Sequence, residues 1–408
     1  MKTGLLLKLG SLALVGTLLH PAGAQAGTAL ELEFDRAFTS PVTIKKAQPK
    51  QTAKPVAAPA KARIAAPITA AQPKAKAKAL VSPTKPAAVA ASKNKALVQS
   101  ARKPEVRANP PTVRRFVPYS QPRTFASNFE AQLYSAADGA NGRIGVAVID
   151  LGTGRTVSVL GDTPFPMAST SKVAVAATYL DGVDKGKWSL DDKFPLMVPV
   201  RSARFSGSKA PVRAGEMMTA RRLIELALIY SSNPATDALL AAVGGPQAVN
   251  RWIKTTGVDG MRIDRDIATL VRDDGEFDPA RTVDLRDSAT PVAMAQLLSG
   301  LFQGKWLSQQ SRAVLLGTME RCQTGKRRMR ALLPSDARIA HKTGTLNNTA
   351  SDVGIIQAPD GHAYAVAIYV TGQGGKPNRD ARIASIAKTI YQMNENHAGG
   401  SVQLSASR

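Results

Sequence analysis

Phe165-Pro166-Met167-Ala168-Ser169-Thr170-Ser171-Lys172 runs straight into Val173, Ala174, Val175, Ala176, Ala177, Tyr179 and Leu180, and stops at Asp181-Gly182. An apolar run of that length with so few polar interruptions reads as a helix buried on all sides. Ser169 then falls in the first turn, and Lys172, three residues on, shares its face. The unpaired N–H groups at that end of a helix favour negative charge developing beside Ser169. A serine hydroxyl is a weak nucleophile until a base takes its proton, and a desolvated lysine can be that base.

Ser-x-x-Lys carries little weight alone, because the pattern also begins at Ser82, Ser92, Ser100, Ser206 and Ser385. A capping serine followed by a surface lysine is the ordinary explanation of such a match. Support for Ser169 must therefore come from elsewhere in the chain.

Composition narrows the choices. The 408 residues carry a net charge of +24, placed unevenly. Residues 41–115 hold about seventeen Lys and Arg against one acid, Glu105, while the part from residue 116 keeps a milder excess near +8, which a soluble domain tolerates. The basic balance is thus no argument for specific nucleic-acid binding by the folded part. Cys322 is the only cysteine, so no internal disulfide is available, and it reads as a small buried residue. His20, His341, His362 and His397 have no metal-ligand spacing, and Gly-x-Ser-x-Gly is absent. Neither a zinc hydrolase nor an α/β-hydrolase triad fits, and no cofactor or metal is expected.

Residues 1–26 are built like a secretory signal: Lys2 and Lys8, an apolar core from Leu9 to Leu19, then Ala24-Gln25-Ala26 as a cleavage site. Export to the periplasm is the expectation. Residues 27–118 are rich in Ala, Pro and Lys and lack the large apolar side chains that offset chain entropy, so they read as a disordered tether. About 90 such residues span roughly 50 Å as a coil. A spacer is the plain reading; electrostatic contact with an anionic cell envelope, weakened by salt, is the sharper one.

The folded domain is expected over 119–395, with a flexible tail over 396–408. It opens with a helix from about Thr124 to Ala137 and a hairpin of Arg143–Asp150 and Arg155–Leu160 around Gly152-Thr153-Gly154. Residues 219–230, 234–243, 246–256 and 291–303 have helical spacing. Strands return at 338–342, 352–356 and 363–371, with a closing helix near 380–393. The pattern predicts an α/β domain of the α+β type: an antiparallel sheet flanked by helices, with an all-helical subdomain inserted over about 167–324. A cleft would lie at the joint.

Two further motifs follow Ser169 in order: Tyr230-Ser231-Ser232-Asn233-Pro234 between two expected helices, and His341-Lys342-Thr343-Gly344-Thr345 on an expected strand. Ser-x-x-Lys, Ser-x-Asn and Lys-Thr-Gly in this order, each on the right kind of element, resemble the class A β-lactamases and related penicillin-binding serine hydrolases. The resemblance covers about residues 122–395 and includes Leu223-Ile224-Glu225-Leu226, Arg286-Asp287-Ser288-Ala289-Thr290-Pro291 and Thr324-Gly325. It implies that Ser169 is acylated, that Lys172 takes part in removing its proton, and that Ser231 relays a proton to the departing nitrogen. Asn233 would orient Lys172 and the substrate amide, Lys342 and Thr343 would hold the substrate carboxylate, and the N–H groups of Ser169 and Thr345 would form the oxyanion hole. Acyl transfer independently needs a nucleophile, a base, a leaving-group proton and oxyanion donors.

Leu346 to Asp352 contains no arginine, and Arg328 matches a position from which other members of the family supply a carboxylate partner. Arg265 and Asp287 match the pair that clasps the omega loop, but that loop is several residues longer than usual and Ile267 falls where a deacylating glutamate is expected. Asp264, Asp266, Asp273, Asp274 and Glu276 are candidate substitute bases, each with the plain alternative of a solvated loop charge. The expected function is an exported, monomeric serine β-lactam hydrolase. A D-alanyl-D-alanine peptidase acting on a peptidoglycan peptide with slow deacylation, and a non-catalytic envelope-binding protein, are the alternatives.

Overall fold

The computed structural model describes residues 113–116, 124–139 and 141–400, with side chains as far as Met393. The expected signal and nearly all of the expected tether lie outside the described residues.

The chain begins with strand β1 (Val113–Arg115), helix α1 (Asn128–Ala136), strands β2 (Gly142–Asp150), β3 (Thr156–Val159) and β4 (Phe165–Pro166), and helix α2 (Lys172–Asp184). Next come β5 (Lys193–Pro199), β6 (Val212–Thr219), α3 (Ala220–Ile229), α4 (Asn233–Val243), α5 (Pro246–Thr255), β7 (Met261–Arg262), α6 (Ile267–Arg272), β8 (Thr282–Asp284) and β9 (Ser288–Ala289). Helices α7 (Pro291–Phe302) and α8 (Gln309–Glu320), strands β10 (Arg338–Leu346), β11 (Thr349–Gln357) and β12 (Ala363–Gly372), and helix α9 (Lys376–Gly400) complete it.

The main sheet has the order β10-β11-β12-β2-β3 and is antiparallel throughout. Both faces are buried, which is why β2 and β12 read as nearly continuous apolar runs rather than alternating ones. The period of two survives in residue size. Ala363, Ala365, Ala367 and Tyr369 of β12 face the core shared with α2, α3, α4 and α7, whereas Tyr364, Val366, Ile368 and Val370 face the core shared with α1 and α9. Small side chains on the first face let the helical part approach closely.

The inserted part is not all-helical. β5 and β6 form an antiparallel ribbon, and β4, β9 and β7 a small sheet. The ribbon is mostly half-buried or exposed, so it lacks the apolar periodicity by which the helices were legible. Two boundaries also differ from expectation. β1 pairs with β8 although it lies within the expected tether, and α9 runs to Gly400, into the expected tail.

Candidate active site

Three chain segments meet at the hydroxyl of Ser231. Lys342 Nζ donates to Ser231 Oγ at 2.9 Å, and Lys172 Nζ donates to the same oxygen at 3.3 Å. Lys172 Nζ also donates to the Ser231 carbonyl and, at 2.7 Å, to Asn233 Oδ1. Both lysines are 0% exposed, so these bonds replace the hydration that burial takes from each amine. One hydroxyl thus links the expected base, the expected proton relay and the expected carboxylate anchor.

Local sequence explains the placement. Ser232 Oγ accepts from Ala235 N and caps α4, with Pro234 in the first turn, so Asn233 is fixed at the helix start. Ser231, just before the cap, has φ 60°, a left-handed conformation that costs a serine on the order of 1–3 kcal/mol. Ala168, beside the nucleophile, is likewise left-handed at φ 49°. Residues 168–171 form a 3₁₀ turn and the α-helix proper starts at Lys172, so Ser169 sits in a tighter turn than the apolar run predicted. Ser169 is half-buried, while Lys172 and Val173 to Leu180 are buried.

Gly344 explains how β10 reaches this turn. A Cβ there would lie 2.6 Å from the Met167 carbonyl oxygen and 2.5 Å from Ser351 Oγ, so only glycine allows the strand to rest on the Met167-Ala168 backbone. Thr343 and Thr345 flank that contact. Thr343 Oγ1 is hydrogen-bonded to Thr324 Oγ1 at 2.6 Å.

The electrostatics follow from burial. Desolvation pulls the Lys342 amine down to about 8, against the raising influence of Cys322 and Asp352. His341 is opposed by burial, yet the Asp352 carboxylate 2.8 Å from its Nδ1 raises its pKa. Cys322, which sequence presented as a plain buried residue, is resisted by desolvation but drawn below the usual thiol range by His341 and Lys342.

Arg328 is buried and fully engaged. Its guanidinium pairs with Asp380 at 2.7 Å and donates to the carbonyls of Gly344 (2.9 Å) and Ser351 (3.1 Å) and to Thr345 Oγ1 (2.7 Å). Of the expected substrate-binding side chains it touches one, Thr345, through that residue's hydroxyl.

The omega loop is clasped at its ends by Arg265 and Asp287, with Nε to Oδ2 at 2.6 Å. Inside it, each candidate base holds other groups. Asp264 pairs with Arg262 and accepts from Asp287 N, Asp266 caps α6 at Thr269 N, and Asp273 pairs with Arg272 and accepts from Phe205 N. Asp274 accepts from Asn347 N, and Glu276 pairs with Arg286. Ile267 is buried at the start of α6.

Sequence reasoning missed Asp237. It lies one turn beyond Asn233 on α4 and accepts from Ile267 N (2.7 Å) and Ala268 N (2.9 Å). Burial pushes its carboxyl up to about 7, while those two N–H groups and Lys172 pull it down. The four-residue spacing from Asn233 was the available signal.

Two buried lysines bridged by the Ser231 hydroxyl, close in sequence to Ser169 through Lys172, make an arrangement that suits serine acyl transfer. Residues 128–393 match the model of the beta-lactamase enzyme family, and the chain belongs to that family. It is 32% identical to the CTX-M-6 β-lactamase of Salmonella typhimurium over 276 residues, covering 65% of this chain and 89% of that one. It is 29% identical to the PER-1 extended-spectrum β-lactamase of Pseudomonas aeruginosa over 274 residues, 64% and 85% of the two chains. Among solved structures, an ancestral class A β-lactamase aligns at TM-score 0.57 and 35% identity, covering 65% of this chain and all of that one. A β-lactamase from Chitinophaga pinensis aligns at 0.58 and 30%, with 66% and 100% covered.

Proposed function

We propose that this protein is an exported serine hydrolase that opens β-lactams through an acyl-enzyme on Ser169. The observation that carries the reading is the convergence of Lys172 and Lys342 on the Ser231 hydroxyl. Lys172, in its neutral amine form, takes part in removing the Ser169 proton as Oγ attacks the lactam carbonyl. The developing oxyanion is held by the N–H groups of Ser169 and Thr345, and Ser231 passes a proton to the leaving nitrogen. Lys342 and Thr343 hold the substrate carboxylate, with Arg328 acting through Thr345. Asn233 keeps Lys172 aimed through its Oδ1 and offers its amide N–H groups to the acyl side chain. An activity of this kind would confer β-lactam resistance.

Release of the acyl group is the slower half on this reading, because the five loop acids are held by other groups and Ile267 is apolar. That observation favours, as a second reading, a D-alanyl-D-alanine peptidase that penicillin blocks. No helix among the described residues is long and apolar enough to cross a membrane. Residues 1–26 support export to the periplasm, and the charge of residues 27–118 supports salt-sensitive contact with an anionic envelope.

The test mixes the full chain with a penicillin and follows protein mass and lactam absorbance together. Sustained absorbance loss with little adduct supports turnover. A stable adduct with one equivalent consumed selects the peptidase reading, and neither signal defeats both.

A further inference from the structure

Arg143, near the start of β2, is only 1% exposed and takes its partners from carbonyl oxygens. Its Nε and Nη2 donate to the Pro279 carbonyl (2.9 and 2.7 Å), Nη1 to the Pro164 carbonyl (3.0 Å) and Nη2 to the Thr282 carbonyl (3.3 Å). Two rings flank the guanidinium carbon: Phe165 at 4.5 Å and Phe116 at 5.2 Å. Burial lowers its pKa to about 10, against the pull of Asp278. Desolvating a guanidinium this completely is costly, so the carbonyls and rings that replace its water are held in place in turn.

Those partners lie on three separate stretches. Pro279 and Thr282 belong to the return limb of the omega loop, which ends at the Arg265–Asp287 clasp. Pro164 and Phe165 lead into the nucleophile turn: Phe165 pairs with Ala289, Pro166 with Ser288, and Met167 N donates to the Asp287 carbonyl at 3.0 Å. Phe165 is itself fixed, because it covers Gly145 so closely that a Cβ there would lie 2.3 Å from the ring. The third stretch is the end of the expected tether. Val113, Arg114 and Arg115 pair with Asp284, Val283 and Thr282, and Phe116 N donates to the Arg281 carbonyl at 2.8 Å. The strand therefore lies on the same limb whose carbonyls Arg143 holds, and Phe116, the residue after it, lays a ring on Arg143.

We propose that residues 113–116 are a docking strand for the catalytic site, and that Arg143 is the positioning residue through which their seating sets both the omega loop and the turn that carries Ser169. The strand adds backbone hydrogen bonds to one edge of the loop limb, and the Phe116 ring completes the cage around a charge that the Pro164 and Pro279 carbonyls share. When the strand leaves, Arg143 gains access to water, its grip on both carbonyls slackens, and the loop and the turn loosen together.

For its kinetic readout the inference rests on the acylation reading above, so the test adds one that does not. In full-length protein, Phe116→Ala, Phe116→Tyr and the core control Leu133→Ala are compared with the unaltered chain. Backbone hydrogen exchange over residues 279–287 is expected to quicken roughly threefold to thirtyfold in Phe116→Ala, the range of one cation–π contact, with Phe116→Tyr near the unaltered rate. Leu133→Ala, which truncates a side chain in the other core, is expected to lower the melting temperature without quickening that segment selectively. With a penicillin, Phe116→Ala is expected to lose about as large a factor in kcat/KM, and Leu133→Ala to lose none well below its melting temperature. Unchanged exchange in Phe116→Ala, or equal quickening in Leu133→Ala, overturns the proposal whether or not the chain reacts with penicillin. Altered exchange with unchanged kinetics overturns the link to Ser169. Absence of any reaction in the unaltered chain counts against the acylation reading instead.

Discussion

The cluster around Ser231 and the loop from Asp264 to Asp287 are both rich in charge and both touch α4, but they use their charges differently. Around Ser231, buried amines face a hydroxyl and an amide oxygen that acyl transfer needs, and two residues accept left-handed backbones to bring them together. In the loop, each acid from Asp264 to Glu276 holds a backbone N–H or an arginine, and its charge serves the loop's own shape. Helix α4 joins the two: Asn233 at its start holds Lys172, and Asp237 one turn later holds Ile267 and Ala268. On the proposed acyl-enzyme route, formation of the adduct and its release would fall to separate segments, and the loop's acids are already committed to other partners.

The largest expected effect is the loss of the nucleophile. Ser169→Ala should abolish the penicillin adduct and lower turnover by at least ~10⁴-fold, and an adduct that persists in this variant would move the chemistry elsewhere. Placing a carboxylate in the loop tests the other side of the comparison. Ile267→Glu is expected to shorten the adduct lifetime by about 10²- to 10⁴-fold while leaving its rate of formation within roughly threefold, and an unchanged lifetime would mean that release depends on some other group.

Ser231→Ala removes the oxygen shared by both lysines and should lower kcat/KM for acylation by about 10²-fold, the scale of one proton-transfer partner, read from the rate at which adduct mass appears. A pH series on Lys342 is the mildest probe. Its pKa is depressed by burial, so it is charged below about 8 and neutral above. Affinity for the substrate carboxylate should therefore be present below that pH and fall as pH rises through it. The kcat/KM profile should show a falling limb near 8 that Lys342→Arg removes, because arginine stays charged.

Much of the site was legible because acyl transfer needs particular residue types, and three short motifs carry them on elements that announce themselves. The capping Ser232 with Pro234 and the apolar run after Lys172 are local signals, and Gly344 marks a close approach that any side chain would block. The sheet was legible for the same reason, since strands buried on both faces must be apolar throughout. Long-range partners were not. Asp237 looks like an ordinary helix aspartate until Ile267 and Ala268 are brought to it, and the β5–β6 ribbon lacks a buried face to give it a period. Arg328 was recognisable as a candidate, but its commitment to Asp380 depends on a contact 52 residues away. Residues 113–116 were hidden in a basic stretch because a three-residue strand is set by its partner rather than by its own sequence.

The position of β2, between β3 and β12, has a consequence for how the molecule is made. β12 ends at Gly372, so the sheet cannot close around β2 until Gly372 has left the ribosome, and Lys342 arrives almost as late. An emerging chain that already holds Ser169, Lys172 and Ser231 has no finished sheet and no third anchor. Contacts this distant in sequence form slowly, so the sheet is among the last parts of the fold to be completed.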